Sequence, residues 1–125
     1  MHTCKLPTYN LLMLSPDMKK GSVDLLLLAL LDEQPRHGYE IARVIGEQSD
    51  GAITFTSAAL YPALHALERR GLIRSRWGVT AGDRRRRRFY SVTPAGRRAL
   101  SAQRDGWHRF ISALTRIAKP KRMES

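Results

Sequence analysis

The segment TSAALYPALHALERRGLI, residues 56–73, decides the fold of this chain, and it leads through an arginine run into RRFYSVT, residues 87–93. Ser57 is a favourable N-cap residue, and leucines recur behind it at the spacing that makes one apolar helix face. Those leucines are Leu60, Leu64 and Leu67. We therefore predict an amphipathic helix that begins at Ser57 and is ended by Gly71.

The helix face opposite these leucines is small, polar and basic. At 100° per residue it carries Ala58, Pro62, His65 and Arg69, with Tyr61 on its flank. Small residues would let the backbone approach a nucleic-acid duplex, and the larger ones could reach phosphates or base edges in the major groove. Because proline lacks an N–H and disfavours helical dihedrals in the preceding residue, we expect the helix to begin irregularly or one residue late.

Two short strands are predicted next, at residues 72–77 and 88–92, because apolar and polar residues alternate in both. Gly78 and Gly82 favour a turn between them, which would project Arg84 to Arg88 away from the domain. The run is either a wing that grips phosphates or a narrow minor groove, or a solvated charge run of the kind also found in nuclear addresses. Its position between two strands, directly after a capped helix, favours nucleic-acid binding.

The composition agrees with a polyanion-binding protein. The chain has 125 residues, 22 Lys and Arg against 11 Asp and Glu, and a formal net charge of +11. Ribosomal and membrane-surface proteins share that charge, so it supports the interpretation without proving it. The length suits one domain with a modest core. The longest apolar run, residues 25–31, is far below the ~20 residues that cross a bilayer, so we expect no membrane segment.

The N-terminal residues 1–20 are expected to be a loosely ordered extension. Cys4 is the single cysteine, so the sequence offers no intrachain disulfide and no metal site. The apolar block at residues 11–14 is too short for a secretory signal, and a cytoplasmic location is expected. Two interpretations remain open: residues 1–17 are loosely held, or translation starts at Met18.

A very apolar helix is predicted over residues 22–32, with Ser22 as its N-cap and Asp24 complementing the helix dipole. It is apolar nearly all round, whereas a surface helix needs only one apolar stripe. The surplus face, with Leu25 and Leu28, must therefore be covered. In so short a chain we favour a second subunit over the core of the same chain.

A second short helix is predicted over residues 37–45, and with the helix at Ser57 it makes a helix-turn-helix arrangement. The connection, residues 46–56, is longer than the three- or four-residue turn of the simplest versions. Within it, Ile53 and Phe55 are expected to form a small edge strand.

The C-terminal helix has a strong start signal, with Thr93 as N-cap and Pro94 at the first helical position. Side chains then recur at alternating steps of three and four, which is typical of a coiled-coil seam with one polar interruption. The seam consists of Leu100, Gln103, Trp107, Phe110, Leu114 and Ile117. It favours homodimerisation through this helix, and the alternative is packing back onto the helix that contains Leu25.

Three blocks of this sequence resemble the PadR family of bacterial transcriptional regulators: HGYEI, LYPALHALERRGLI and RRFYSVTPAGRRAL. The resemblance spans roughly residues 21–100. It implies a mainly α fold with a small β-hairpin, namely a winged helix-turn-helix domain and a C-terminal dimerisation helix. The expected division is an N-terminal extension at 1–20, the DNA-binding domain at 21–93, the dimerisation helix at 94–118 and a basic tail at 119–125. The chain departs from longer members by its N-terminal extension and its single C-terminal helix.

The resemblance also implies a function: a sequence-specific, nucleoid-associated regulator, expected to be a repressor, that binds an inverted repeat in double-stranded DNA as a homodimer. Together with the sequence pattern it assigns the DNA contacts to Tyr39, Thr56, Ser57, Tyr61, Pro62, His65, Arg69, Arg84, Arg85, Arg86, Arg87 and Arg88. In similar short members an aromatic residue of the dimerisation helix lines a flat pocket between subunits. Trp107 is thus the candidate contact for a small aromatic effector, and a simple core role is the alternative.

Other classes of function find less support in the sequence. His2, His37, His65 and His108 have no neighbouring signature of a nucleophilic site, and no phosphate-binding glycine loop or paired metal-ligand spacing is present. We therefore expect no enzymatic activity and no cofactor or metal. The serious rival is a non-specific, basic RNA- or ribosome-associated protein, which would ignore the sequence of its nucleic acid.

Overall fold

The computed structural model describes residues 16–80 and 82–118, which fold as helices packed against a small antiparallel sheet. In chain order the elements are α1 (Pro16–Glu33), β1 (Arg36–His37), α2 (Gly38–Gln48), α3 (Ser57–Arg69), β2 (Ile73–Thr80), β3 (Asp83–Val92) and α4 (Pro94–Ala118). The strand order is β1-β3-β2, with both pairs antiparallel. This confirms the predicted class, a mainly helical fold with a winged hairpin and a long C-terminal helix.

The core forms where the apolar faces of the helices meet one face of the sheet. In α3 the side chains of Leu60, Leu64 and Leu67 are almost completely buried, as their spacing predicts. The other helices, the two long strands and the turn at Leu72 contribute the rest of the core: Leu27, Leu28, Leu30, Leu31, Ile41, Val44, Ile45, Leu72, Ile73, Tyr90, Val92 and Leu100. This core packs α3 against the β2–β3 hairpin.

Helix α1 begins earlier than predicted, at Pro16, so Ser22 lies inside the helix and is not its cap. Proline is tolerated at the first helical position because the N–H that it lacks would have no partner there. Asp24 is likewise internal, and its Oδ2 lies 3.0 Å from Nη1 of Arg70. The helix therefore crosses residue 20, the expected end of the extension. Residues 1–15, with Cys4, lie outside the described part of the chain.

The apolar surface of α1 is largely covered within a single chain. Leu28 has no exposed surface, and Leu100 of α4 is only 2% exposed. Helix α4 packs on α1, and Nε of Arg97 donates to Oδ1 of Asp32 at 3.2 Å. We therefore remove Leu28 and Leu100 from the set assigned to a dimer contact, because neither has surface left for a partner. Leu25 remains partly exposed.

The third strand is not where the sequence suggested. Ile53 and Phe55 lie in the loop between α2 and α3, partly buried against the core, and form no strand. The Ser49 side chain explains this: its Oγ accepts from the Ile53 N–H at 3.0 Å and donates to the Ile53 carbonyl at 3.2 Å. The backbone of Ile53 is thus satisfied locally, and Arg36 and His37 supply the strand that pairs with β3.

The start of α4 is locked to the turn between α3 and β2. Oγ1 of Thr93 accepts from the Gly96 N–H at 3.0 Å, which confirms the predicted N-cap, and donates to the Gly71 carbonyl at 2.7 Å. The approach is so close that a Cβ atom on Gly96 would collide with the Leu72 carbonyl oxygen and with Val92 Cγ2. Only glycine fits at this position because these neighbours leave no room for a side chain.

Candidate nucleic-acid interface

The N-cap of helix α3 lies one residue earlier than predicted. Thr56, with extended backbone angles, is the N-cap, and its Oγ1 accepts from the Ala59 N–H at 3.2 Å. Ser57 is therefore the first helical residue and not the cap. Its side chain is exposed, which leaves it available at the N-terminal end of the helix.

The outer face of α3 has the composition expected from the sequence, since Ala58, Pro62, His65 and Arg69 are all exposed. Pro62 does not delay the helix, contrary to our expectation, because α3 runs through it without a break. Proline leaves the Ala58 carbonyl without its usual helical donor. Ala58 is exposed, so water can hydrate that carbonyl, and the lost bond is tolerated.

Tyr61 links α3 to the start of α2. A Cβ atom on Gly38 would lie 2.5 Å from the Tyr61 hydroxyl oxygen, so the tyrosine end occupies the space above this glycine. Tyr61 nevertheless remains 38% exposed. The glycine of the HGYEI block thus leaves room for the end of the Tyr61 side chain, and the part of the tyrosine that faces solvent stays available for a ligand.

A polar groove of about 340 Å³ separates the first turn of α2 from the wing. It is lined by His37, Tyr39, Glu40, Arg43, Thr80 and Arg87. Tyr39 is 66% exposed and its ring stacks on His37 at a centroid distance of 6.4 Å. Arg43 was not singled out from the sequence, although it follows Tyr39 by four residues and thus shares its helix face. It adds a second cation to the groove that Arg87 lines.

The helix-turn-helix is braced by a buried cation that the sequence analysis missed. Arg36 is only 7% exposed. Its Nε donates to the Leu30 carbonyl at 3.2 Å, and its other nitrogens contact Glu33 at 2.7 Å and Glu40 at 3.4 Å. A buried arginine is tolerated when its charge and donors are met in this way. The contacts fix the end of α1 and the beginning of α2 relative to β1.

The arginine run lies in a different place from the one predicted. Arg84 to Arg88 belong to strand β3, paired with β2, and not to the turn, which is confined to the residues between Thr80 and Asp83. The hydrogen-bond ladder accounts for this difference, since it extends through Gly78, opposite Arg87. Arg87 and Arg88 point to opposite faces of the hairpin, because successive residues of a regular strand alternate. Beyond Gly78 the register shifts, so Arg84 to Arg86 lie in an irregular part of the ladder.

One face of the wing is organised around Trp77, which is opposite Arg88 and 56% exposed. The guanidinium carbon of Arg86 lies 5.5 Å from the centroid of the indole ring, and that of Arg88 lies 5.9 Å from it. Such cation–π contacts hold a guanidinium over the ring face. Two arginines of the run therefore contact the tryptophan, whereas the sequence did not distinguish them from the other three.

Burial of Tyr90, the residue that pairs with Ser75, raises the pKa of its phenol above the ordinary value of 10.0. The neighbouring Arg88 guanidinium acts in the opposite direction, because it favours the ionised phenolate, and Glu68 raises the pKa further. The charges of Arg88 in β3 and of Glu68 in the last turn of α3 therefore act on the same buried phenol.

The second half of α4 carries an apolar face that the described residues leave uncovered. Phe110, Leu114 and Ile117 are 47%, 51% and 83% exposed. Trp107 and Phe110 meet edge to face, with centroids 5.8 Å apart. They border an open groove of about 370 Å³, whose other lining residues are Gln103 and Gly106. This half of the predicted seam is thus available for another apolar surface.

The exposed face of α3, the preceding helix α2 and the adjacent cationic hairpin define a winged helix-turn-helix protein of the DNA-binding class. In the part of the chain that the structure describes, no cluster of three His, Cys, Asp or Glu residues could hold a metal ion. Over the same residues, none of the helices combines the length and the apolar character that crossing a membrane requires.

Comparison with known proteins identifies the family. The sequence model of the transcriptional regulator PadR-like family matches residues 27–102. The chain therefore belongs to the PadR-like family, and it is a DNA-binding transcriptional regulator. Over 75 residues it is 40% identical to a transcriptional regulator of Mycobacterium tuberculosis. The matched segment covers 60% of this chain and 55% of that protein.

Solved structures agree with this assignment. A transcriptional regulator from Clostridium thermocellum is 30% identical, with a TM-score of 0.71 over 82% of this chain and 96% of that one. A PadR family transcription regulator from Clostridium difficile is 26% identical, with a TM-score of 0.67 over 77% of this chain and 97% of that one.

Proposed function

We propose that this regulator is a homodimeric repressor that binds an inverted-repeat operator, with α3 in the major groove and the β2–β3 hairpin on the flanking backbone. The observation that carries the proposal is that the arginine-rich hairpin packs against α3, where Ser75 and Arg88 contact Glu68 in the last turn of the helix. A duplex that contacts one of these surfaces is within reach of the other. The alternative, a general RNA-binding protein, needs the charge alone and does not need this arrangement.

Within this proposal the contacts have two roles. Tyr61, His65 and Arg69 face the base edges, where a well-placed contact is worth about 1–3 kcal/mol of discrimination between bases. The N-terminal residues Thr56, Ser57 and Pro62 let the helix backbone approach the duplex. The phosphate contacts are assigned to Tyr39, Arg43 and Arg87, which line the groove between α2 and the wing, and to Arg84 and Arg85 of β3. Phosphate contacts set affinity and orientation, and base contacts set specificity.

The dimer is proposed to form through the exposed half of α4. A row of Trp107, Phe110, Leu114 and Ile117 at heptad spacing suits a second copy of the same helix. Partly exposed Leu25 and Gln103 extend this surface on the side of α1. Two-fold symmetry would place the recognition helices about one DNA turn apart, ~34–36 Å, or a multiple of it, which requires an inverted repeat.

The groove at Trp107 is the proposed site for a small aromatic effector. Its indole meets Phe110 edge to face at 87°, and both residues line an open groove of about 370 Å³. A planar aromatic compound could stack there between two subunits. Titration of a Trp77→Phe variant with a panel of planar aromatic compounds should quench Trp107 fluorescence. A complete lack of quenching across the panel would remove effector binding from the proposal and leave the DNA-binding part intact.

The test of the main proposal starts from duplexes enriched out of a random-sequence library by repeated binding to the purified protein. Fluorescence anisotropy then compares the enriched duplex, a shuffled duplex and an RNA of equal length, at low and near-physiological salt. We expect an inverted repeat to emerge, with a preference of ~10³ or more that survives the higher salt. If no sequence is enriched and all three ligands bind equally, the chain is a general polyanion binder and the proposal fails.

A further inference from the structure

The junction between α3 and the wing contains a carboxylate on an otherwise basic surface. Glu68, in the last turn of α3, points toward the sheet and is 30% exposed. Its Oε2 accepts from the Ser75 hydroxyl at 2.7 Å, and the Ser75 oxygen in turn accepts from Nε of Arg88 at 2.8 Å. The second Arg88 nitrogen, Nη2, lies 3.8 Å from the same carboxylate oxygen. One residue from each of α3, β2 and β3 therefore meets at a single point.

Arg88 is held on a second side by the wing itself. Its guanidinium carbon is 5.9 Å from the Trp77 ring centroid, next to Arg86 at 5.5 Å. The side chain of Arg88, which is 47% exposed, thus makes a hydrogen bond, an ion pair and a ring contact at the same time. A cation that is already engaged in this way has little freedom left to follow a phosphate.

A carboxylate at this position is unfavourable for DNA binding if it does nothing else. Glu68 lies one residue from Arg69 on the recognition helix, and a negative charge close to phosphates repels them. Its removal should then tighten binding to every duplex. This repulsion between Glu68 and the phosphates is offset if Glu68 sets the angle between two DNA-contacting elements. Preorganised elements bind without a further loss of conformational freedom.

We propose that Glu68 is a positioning residue that clamps the wing to the recognition helix through Ser75 and Arg88, and that Arg88 serves this clamp and does not contact phosphate. The inference rests on the proposed function, because the clamp matters where α3 and the wing engage one duplex together. It assigns a role to Glu68 and Ser75, and it changes the role of Arg88, which the sequence analysis placed among the DNA contacts.

The electrostatic and positioning roles of Glu68 predict opposite results for Glu68→Gln. If it positions the wing, the enriched duplex should bind about tenfold more weakly, while the shuffled duplex binds as before or slightly better. Glu47→Gln is the matched control, since it removes the same charge from an exposed ion pair with Arg43 in α2. Equal tightening of both duplexes by Glu68→Gln, as in the control, would overturn the clamp.

A double-mutant cycle tests the role of Arg88. If Arg88 acts through Glu68, the Glu68→Ala and Arg88→Ala double variant should bind the enriched duplex no worse than the weaker single variant. Arg88→Ala should also leave the slope of log K against log salt nearly unchanged. Additive losses together with a slope reduced by roughly 0.9 would show an independent phosphate contact and overturn this part.

A readout without DNA separates the clamp from the proposed function. In a Trp107→Phe background, Trp77 is the remaining tryptophan and reports on the wing. Glu68→Gln should lower its fluorescence anisotropy and increase its quenching by acrylamide, whereas Glu47→Gln should change neither. If the wild-type protein prefers no duplex, the proposed function fails and this measurement still decides the clamp. Unchanged Trp77 signals in folded Glu68→Gln protein would overturn it.

Discussion

The end of the Tyr61 side chain fills the space where Gly38 lacks a side chain, with its hydroxyl oxygen 2.5 Å from the position of an added Cβ atom. This contact joins the recognition helix α3 to the first turn of α2, and it sets the direction in which the tyrosine points. The glycine of the HGYEI block therefore makes room for a contact between two helices.

Gly38→Ala should displace Tyr61 more than it destabilises the fold. Tyr61 is 38% exposed, so its ring can move toward solvent, and we expect the free energy of unfolding to change by less than about 1 kcal/mol. Binding to the enriched duplex should weaken as the tyrosine leaves its place. Gly46→Ala is the control, because an added Cβ there meets nothing within 4 Å and should stabilise α2 by up to ~1 kcal/mol. Chemical unfolding and anisotropy titrations measure both quantities, and wild-type DNA binding by Gly38→Ala would contradict the role of this contact.

Gly96→Ala should be far more damaging, since the atoms in its way cannot move cheaply. The added methyl group would collide with the Leu72 carbonyl, which accepts the Thr93 N–H at 3.0 Å, and with buried Val92. Overpacking of this kind costs about 1–3 kcal/mol or more. Urea unfolding should show a loss at the upper end of that range, against a neutral or stabilising effect of Gly21→Ala, whose added methyl group meets nothing within 4 Å. A Gly96→Ala protein as stable as wild type would show that α4 can shift away from β2.

Arg84→Ala should reduce the salt dependence of DNA binding. Arg84 is exposed close to the hairpin turn, and each lost phosphate contact removes roughly 0.9 from the slope of log K against log salt. The loss should be similar for the enriched and the shuffled duplex, because phosphates carry no sequence information. Arg116→Ala, the same charge change at the exposed end of α4, is the control. An identical slope for Arg84→Ala and wild type would place this arginine outside the interface.

Leu114→Glu should break the proposed dimer without unfolding the chain. Leu114 is 51% exposed in a single chain, so the charged group is hydrated in the monomer and would be buried in the dimer. Sedimentation equilibrium should show a monomer at concentrations where the wild type is dimeric. Thr115→Glu introduces the same charge about 100° away around α4 and should leave assembly unchanged. Equal dimer stability in both variants would exclude this face as the interface.

Tyr90 predicts a loss of stability at high pH. Burial raises the pKa of Tyr90 in the folded chain, so this phenol keeps its proton to higher pH than it does in the unfolded chain. Its contribution to stability is complete below pH ~10, where neither state is ionised, and it declines as pH rises toward the folded pKa. The free energy of unfolding of Tyr90→Phe should therefore fall less above pH ~10 than that of the wild type. A constant difference between the two proteins on both sides of pH ~10 would contradict the assignment.

Helix faces and caps could be predicted because they depend on residues a few positions apart. The burial of Leu60, Leu64 and Leu67 follows from their spacing, and Thr93 caps α4 through a bond to an N–H three residues away. The cap of α3 was misplaced by one position, since Thr56 and Ser57 are both good N-cap residues and sequence alone does not choose between them.

Long-range pairs could not be predicted in this way. Asp24 and Arg70 are 46 positions apart, so neither residue carries a local sign of the other. Two residues, Arg36 and His37, form the third strand. They pair with β3 because the end of α1 places them beside that strand. The arginine run was assigned to a loop because its charge obscures the alternation that marks a strand.

The sequence by itself determined the helical faces, the start of the C-terminal helix and the presence of a strongly basic hairpin, because spacing, capping chemistry and charge are properties of neighbouring residues. Only the tertiary structure decided what each cation does. It buries Arg36 under the helix-turn-helix, places Arg88 between Glu68 and Trp77, and leaves Arg84 exposed. These arginines are chemically identical, and their roles differ because the fold gives each of them different surroundings.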